Sequence, residues 1–115
     1  MSNMAILSNE TYGAVTINSA QNSTAIYAPG AEHVAYLVVA SAASSPVGTT
    51  ITIQGSIDNT NWAALSSAIS VTGNGAFSVD LTTKQCSYIY YRLAYARSSG
   101  SYVATTTVLT KGSPL

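Results

Sequence analysis

At 115 residues the chain is long enough for one domain that buries roughly two thirds of its unfolded surface, and no second domain is expected. Charged residues make up 7% of it, against about 25% in ordinary soluble proteins, and the formal net charge is zero. Lys84, Arg92, Arg97 and Lys111 are scattered and no apolar run nears the roughly 18 residues of a membrane span, so neither nucleic acid nor membrane is expected as a partner. A surface polar through Ser, Thr, Asn and Gln lacks the repulsion that keeps copies apart, which favours self-association.

The first eleven residues, MSNMAILSNET, carry Met4, Ile6 and Leu7 ahead of any alternating pattern. A loose tail gains little from such side chains, so residues 1–11 are read as an arm that docks on a neighbour or a larger assembly. One domain over residues 12–115 follows. The same stretch has no basic segment, apolar core and small-residue cleavage site of a secretory leader, and synthesis in a cytoplasm is expected.

Beyond the arm, β-branched and small residues dominate and apolar residues never recur at helical spacing. Strands are predicted at 12–18, 24–28, 33–41, 49–57, 62–65, 68–71, 76–81, 87–96 and 102–110. Turn clusters rich in Gly, Pro, Ser and Asn separate them at 18–23, 28–30, 44–48, 73–75 and 98–100. Short strands at this spacing need a facing sheet to cover their apolar sides. The expected fold is all-β, a two-sheet antiparallel sandwich of jelly-roll kind.

Residues 50–65, TITIQGSIDNTNWAAL, join a period-two strand to an Asx-rich reversal and then to Trp62, the single tryptophan. A side chain of that size is expected as a core anchor. The remaining expected core is Val34 or Leu37, with Val39, Ile51, Ile53, Ile57, Phe77, Val79, Leu81, Ile89, Tyr91, Leu93, Val103 and Val108. Residues 34–40 and 88–95 are apolar on both faces, as strands are that face a partner subunit. Tyr88, Tyr90 and Arg92 share one side of the second of these. They are candidate partner-binding residues together with Met4, Ile6 and Leu7.

Catalytic and metal chemistry lacks the inventory. His33 is alone, no Ser sits in a Gly-x-Ser-x-Gly elbow, and nothing in the spacing of Glu10, Glu32, Asp58 and Asp80 selects a pair. Asp58, Asn59 and Asn61 make an Asx turn more readily than a calcium loop. Gly73-Asn74-Gly75 lies between strands and reads as a hairpin turn, not a phosphate loop. Cys86 is a lone, inert thiol. No enzyme activity, cofactor or metal is expected.

GSIDNTNWAAL, the glycine turn, AFSVDL and SYIYYRLAYARSSGSYVATTTVLT together resemble a pattern of small tailed-phage virion proteins. There a strand ends in Gly-Ser-x-Asp-x-Thr-x-Trp, and a tyrosine-rich strand pairs with a Thr/Val-rich one across a Ser/Gly loop. The resemblance spans residues 50–111 and is nearest to capsid decoration, or cement, proteins. Asn59 stands where such sequences often carry Gly, a substitution Asn tolerates because it enters left-handed backbone. The resemblance implies a homotrimer on the outer surface of a phage head, made in the host bacterial cytoplasm, with the major capsid protein as partner. Tail and fibre adhesins share the motif, which implies as the alternative a carbohydrate- or receptor-binding module using Trp62, Tyr27, Tyr102 or Tyr36 against a glycan.

Overall fold

The computed structural model describes residues 5–112, apart from the side chain of Ser45. In chain order the strands are β1 Ala5–Thr11, β2 Val15–Ile17, β3 Gln21–Asn22, β4 Ile26–Tyr27, β5 Ala31–Ser56, β6 Ala63–Ala64, β7 Ile69–Val71, β8 Gly75–Asp80 and β9 Tyr90–Gly112. A 3-10 turn at Thr83–Gln85 lies between the last two.

The long strands β5 and β9 are the frame, paired antiparallel from Ala31 opposite Gly112 to Ser56 opposite Tyr90. β1, β2, β3 and β4 follow one another along the other edge of β9, while β8, β7 and β6 follow one another along the other edge of β5. The nine strands therefore form one sheet, with β5 and β9 in its middle.

That sheet curls. Register slips repeatedly between Ser41 and Thr49 on β5, and both Ala42 (φ 51°) and Gly100 (φ 70°) take left-handed backbone. Bulges of this kind bend a strand and sharpen its twist. Past the bend the inner face closes on itself, because the Tyr95 hydroxyl reaches the Thr106 hydroxyl although eleven positions of β9 separate them. A straight strand of that length would span roughly 36 Å. The result is a curled antiparallel half-barrel with extents of 46 × 26 × 22 Å.

The expected all-β class is what the chain forms, but its layers are two halves of one continuous sheet and not two separate sheets. Predicted strands 33–41 and 49–57 are both parts of β5, and 87–96 and 102–110 overlap the two halves of β9. Ser-, Gly- and Pro-rich segments at 44–48 and 98–100 read locally as reversals. They are bulges in a ribbon that bends without turning back, a difference set by which strand lies opposite.

Cross-strand pairs fill the inside: Tyr36 with Val108, Val38 with Thr106, Ala40 with Ala104, Ile51 with Tyr95, and Ile53 with Leu93. Of the expected core, Val34, Ile51, Ile53, Val79, Leu81, Tyr91, Leu93 and Val108 are buried. Leu37 and Val39 face outward, because the period-two pattern around the buried Tyr36 and Val38 leaves the odd positions outside. Ile57 is exposed just past the end of β5, and Phe77, Ile89 and Val103 are half-buried. Trp62 is half-buried too, so it is no core anchor. The largest fully buried side chains are instead Tyr36, Tyr91 and Tyr102.

Candidate partner interface

The turn after β5 is organised by one carboxylate. Asp58 Oδ1 accepts the Thr60 and Asn61 backbone N–H groups (2.9 and 2.8 Å) and the Ser56 hydroxyl (3.0 Å), while Oδ2 accepts the Asn61 side-chain amide (2.8 Å). Asn59 takes φ 59°, the left-handed conformation expected of it. The two Asn61 N–H donors, then those of Thr60 and Ser56, hold the Asp58 carboxyl well below the usual carboxylate range. Its oxygens are occupied in shaping the turn.

The turn delivers Trp62 beside the sheet, where the Arg92 guanidinium carbon lies 4.1 Å from the ring centroid. Arg92 Nε donates to Gln54 Oε1 at 2.7 Å across the β5–β9 pair, which orients the cation under the ring. Arg92 is thus committed within its own chain. Tyr88 does not share its side: it precedes β9 and packs with Leu65 over Gly55, so closely that a Cβ there would meet Leu65 Cδ1 at 2.6 Å and Tyr88 Cγ at 2.9 Å. Tyr90 does lie on the sheet, with its ring centroid 5.4 Å from that of Tyr27 on β4. Between Ile57, Asp58, Asn61, Trp62 and Tyr88 lies an open depression of about 300 Å³.

Part of the expected arm is built into the fold. Residues 5–11 form β1, in register from Ala5 opposite Gly112 to Thr11 opposite Thr107, and the Ser8 hydroxyl lies 2.6 Å from that of Thr110. Met4 lies outside the described residues. Leu7 is seated over Gly112, where an added Cβ would come within 2.8 Å of Leu7 Cδ1 and 2.6 Å of the Gly30 carbonyl oxygen. Gly30 is three residues from Tyr27, at most roughly 11 Å of chain.

Large apolar side chains from segments far apart in sequence stay exposed. Tyr27 (68% exposed) and Ile57 (64%) flank the half-buried Tyr90, while Ile6 (63%) stands beside Leu7 on β1, opposite Lys111 at the far end of β9. By sequence, Ile6, Leu7 and Tyr90 are partner-binding candidates, Ile57 is expected inside and Tyr27 is a candidate only for a glycan. Alternation alone cannot show that β5 ends at Ser56.

Tyr36, Tyr91, Tyr95 and Tyr102 lie in the interior, with the half-buried Tyr12 packed against it. Burial pushes the Tyr12 hydroxyl up to about 12, helped by the Glu10 carboxylate and Tyr95, and raises Tyr36 further still. Tyr95 and Tyr102 are also raised by burial, opposed at Tyr95 by its hydrogen bond to Thr106. Tyr36 and Tyr102 are thus closed to a glycan, which corrects their candidacy. Cys86 is half-buried, and burial lifts its thiol above the ordinary range. Among the described residues no three His, Cys, Asp or Glu side chains come together, and no helix is long and apolar enough to cross a membrane.

No family model and no curated protein matches the sequence. Among solved structures the fold is similar to that in the crystal structure of PBSX exported protein XepA, with a TM-score of 0.62 over 98% of this chain and 19% sequence identity. This chain spans 38% of the XepA chain. The likeness establishes a shared β fold.

Proposed function

We propose that the chain is a non-enzymatic virion structural protein of a tailed phage, a capsid decoration (cement) protein that sits on the outer head surface as a homotrimer and links subunits of the major capsid protein. The observation that carries this reading is the exposure of Ile6, Leu7, Tyr27 and Ile57, large apolar side chains at strand ends of a chain with so little charge. Exposed large apolar side chains brought together from distant segments, as Tyr27 and Ile57 are at Tyr90, are the ordinary mark of a protein contact. The motif in residues 50–111 supplies the phage context, and XepA, named as an exported protein of PBSX, shares the fold.

The mechanism is adhesion. A ligand that binds the assembled lattice and not free subunits stabilises the lattice by mass action, and three linked contacts act at high effective concentration once the first is made. Cosedimentation of the purified chain with undecorated heads is the test. Tyr27→Asp with Ile57→Asp should weaken attachment at least tenfold at unchanged melting temperature. Failure of the native chain to bind heads, or wild-type affinity in the variant, counts against the reading.

The second reading, a glycan-binding module of a tail or fibre, is favoured by the depression between Trp62 and Tyr88. Retention on a glycan array that disappears in Trp62→Ala supports it in place of head binding.

A further inference from the structure

We propose that copies of this chain meet through the outer face of the sheet around Leu37 and Val39, away from the apolar side chains assigned to the capsid. The inference rests on the self-association in the reading above and names the surface responsible. Leu37 and Val39 remain 41% and 44% exposed in the middle of a strand whose opposite face is the core. Leu109, opposite Ala35, continues the same face onto β9, and Asn9 opposite Leu109 extends it to β1. A shallow hollow of about 280 Å³ runs across it between Leu37, Leu109 and Ser78.

Charge points to a second copy as the occupant. Across Leu37, Val39, Ala76, Ser78, Thr105, Thr107 and Leu109 there is no ionisable group. Asp80 and Lys111 stand at one end of the face, on strands either side of β5, opposite Ala35 and His33 respectively. An uncharged centre avoids repulsion between like copies, and a rim carrying both signs lets one copy's Asp80 approach another's Lys111. Four strands about 4.8 Å apart and six residues long at about 3.4 Å each make a face of roughly 19 by 20 Å. Covering it on two copies removes roughly 760 Å² of flat area, the size of a weak contact between copies. Such a contact suits association at micromolar concentration, strengthened when several close one assembly.

The neighbouring strand argues the same way. β8 shows outward Ala76, Ser78 and Asp80, the wet face of an ordinary surface strand, whereas β5 beside it shows Ala35, Leu37 and Val39. The apolar strip is confined to the centre, with polar residues flanking it, as at the buried middle of an interface.

Sedimentation equilibrium of the full chain at tens of micromolar tests this, with melting followed in parallel. The native chain should sediment well above one chain mass. Leu37→Glu with Val39→Glu should weaken association at least tenfold, and Leu37→Thr with Val39→Thr, which keeps β-branched or strand-compatible residues, should weaken it in the same direction should the charged variant fail to fold. A native monomer, or threonine-variant association equal to wild type, overturns the proposal. Loss of association on Tyr27→Asp alone also overturns it by placing the contact at Tyr27. Head binding by the unassociated variant, measured separately, distinguishes failure of this interface from failure of the capsid reading.

Discussion

Trp62 shows how far a single residue's role depends on its neighbours. Size and rarity suggest an anchor, whose loss would cost about 3–5 kcal/mol, yet the ring lies half-exposed on the Arg92 guanidinium. Trp62→Ala should therefore destabilise by about 1–2 kcal/mol, the scale of a cation–π contact with partial burial, as read by urea unfolding. A loss above about 3 kcal/mol restores the anchor role. Tyr36 presents the opposite case. Its hydroxyl is buried with no hydrogen-bond partner among the described residues, and a buried unpaired hydroxyl lowers stability. Tyr36→Phe is expected to leave stability unchanged or raise it by about 1 kcal/mol, and a loss beyond about 1 kcal/mol in the same urea assay contradicts that.

Among the elements, β1 and the bend carry the clearest consequences. Removing residues 1–8 strips the pairing of Ala5–Ser8 with Thr110–Gly112 and uncovers Gly112 beneath Leu7. The truncated chain should melt lower, and hydrogen exchange should accelerate at residues 108–112. Unchanged melting and exchange would mean that β1 adds nothing to the sheet. At the bend, Gly100 has φ 70° and its α-carbon faces the Pro46 carbonyl oxygen, leaving no place for a methyl group. Gly100→Ala should cost about 1–3 kcal/mol through strain. Gly73→Ala, with open space around the added carbon, is the control and should be far milder.

Across the whole molecule the buried tyrosines set an alkaline limit. The folded values of Tyr12, Tyr36, Tyr95 and Tyr102 are all raised above the ordinary phenol value of about 10. Below pH 10 both states keep these protons and stability is unaffected. Above it the unfolded chain releases them while the fold retains them, so stability falls with rising pH, by about 1.4 kcal/mol per pH unit for each phenol held neutral. Melting temperature should drop steeply between pH 10 and 12, with tyrosinate absorbance appearing together with loss of structure. Full tyrosinate absorbance near pH 10 in a folded chain is the contrary outcome. The sequence alone determined the β class, the inner residues Ile51, Ile53, Tyr91 and Leu93, and the Asp58 turn, because period-two alternation and Asx hydrogen bonding are local. The tertiary structure alone decided that 44–48 and 98–100 are bulges, that Val39 faces out, and that Tyr27 and Ile57 flank Tyr90. Each depends on which strand lies opposite and where the sheet bends, and those choices are made by contacts between residues tens of positions apart.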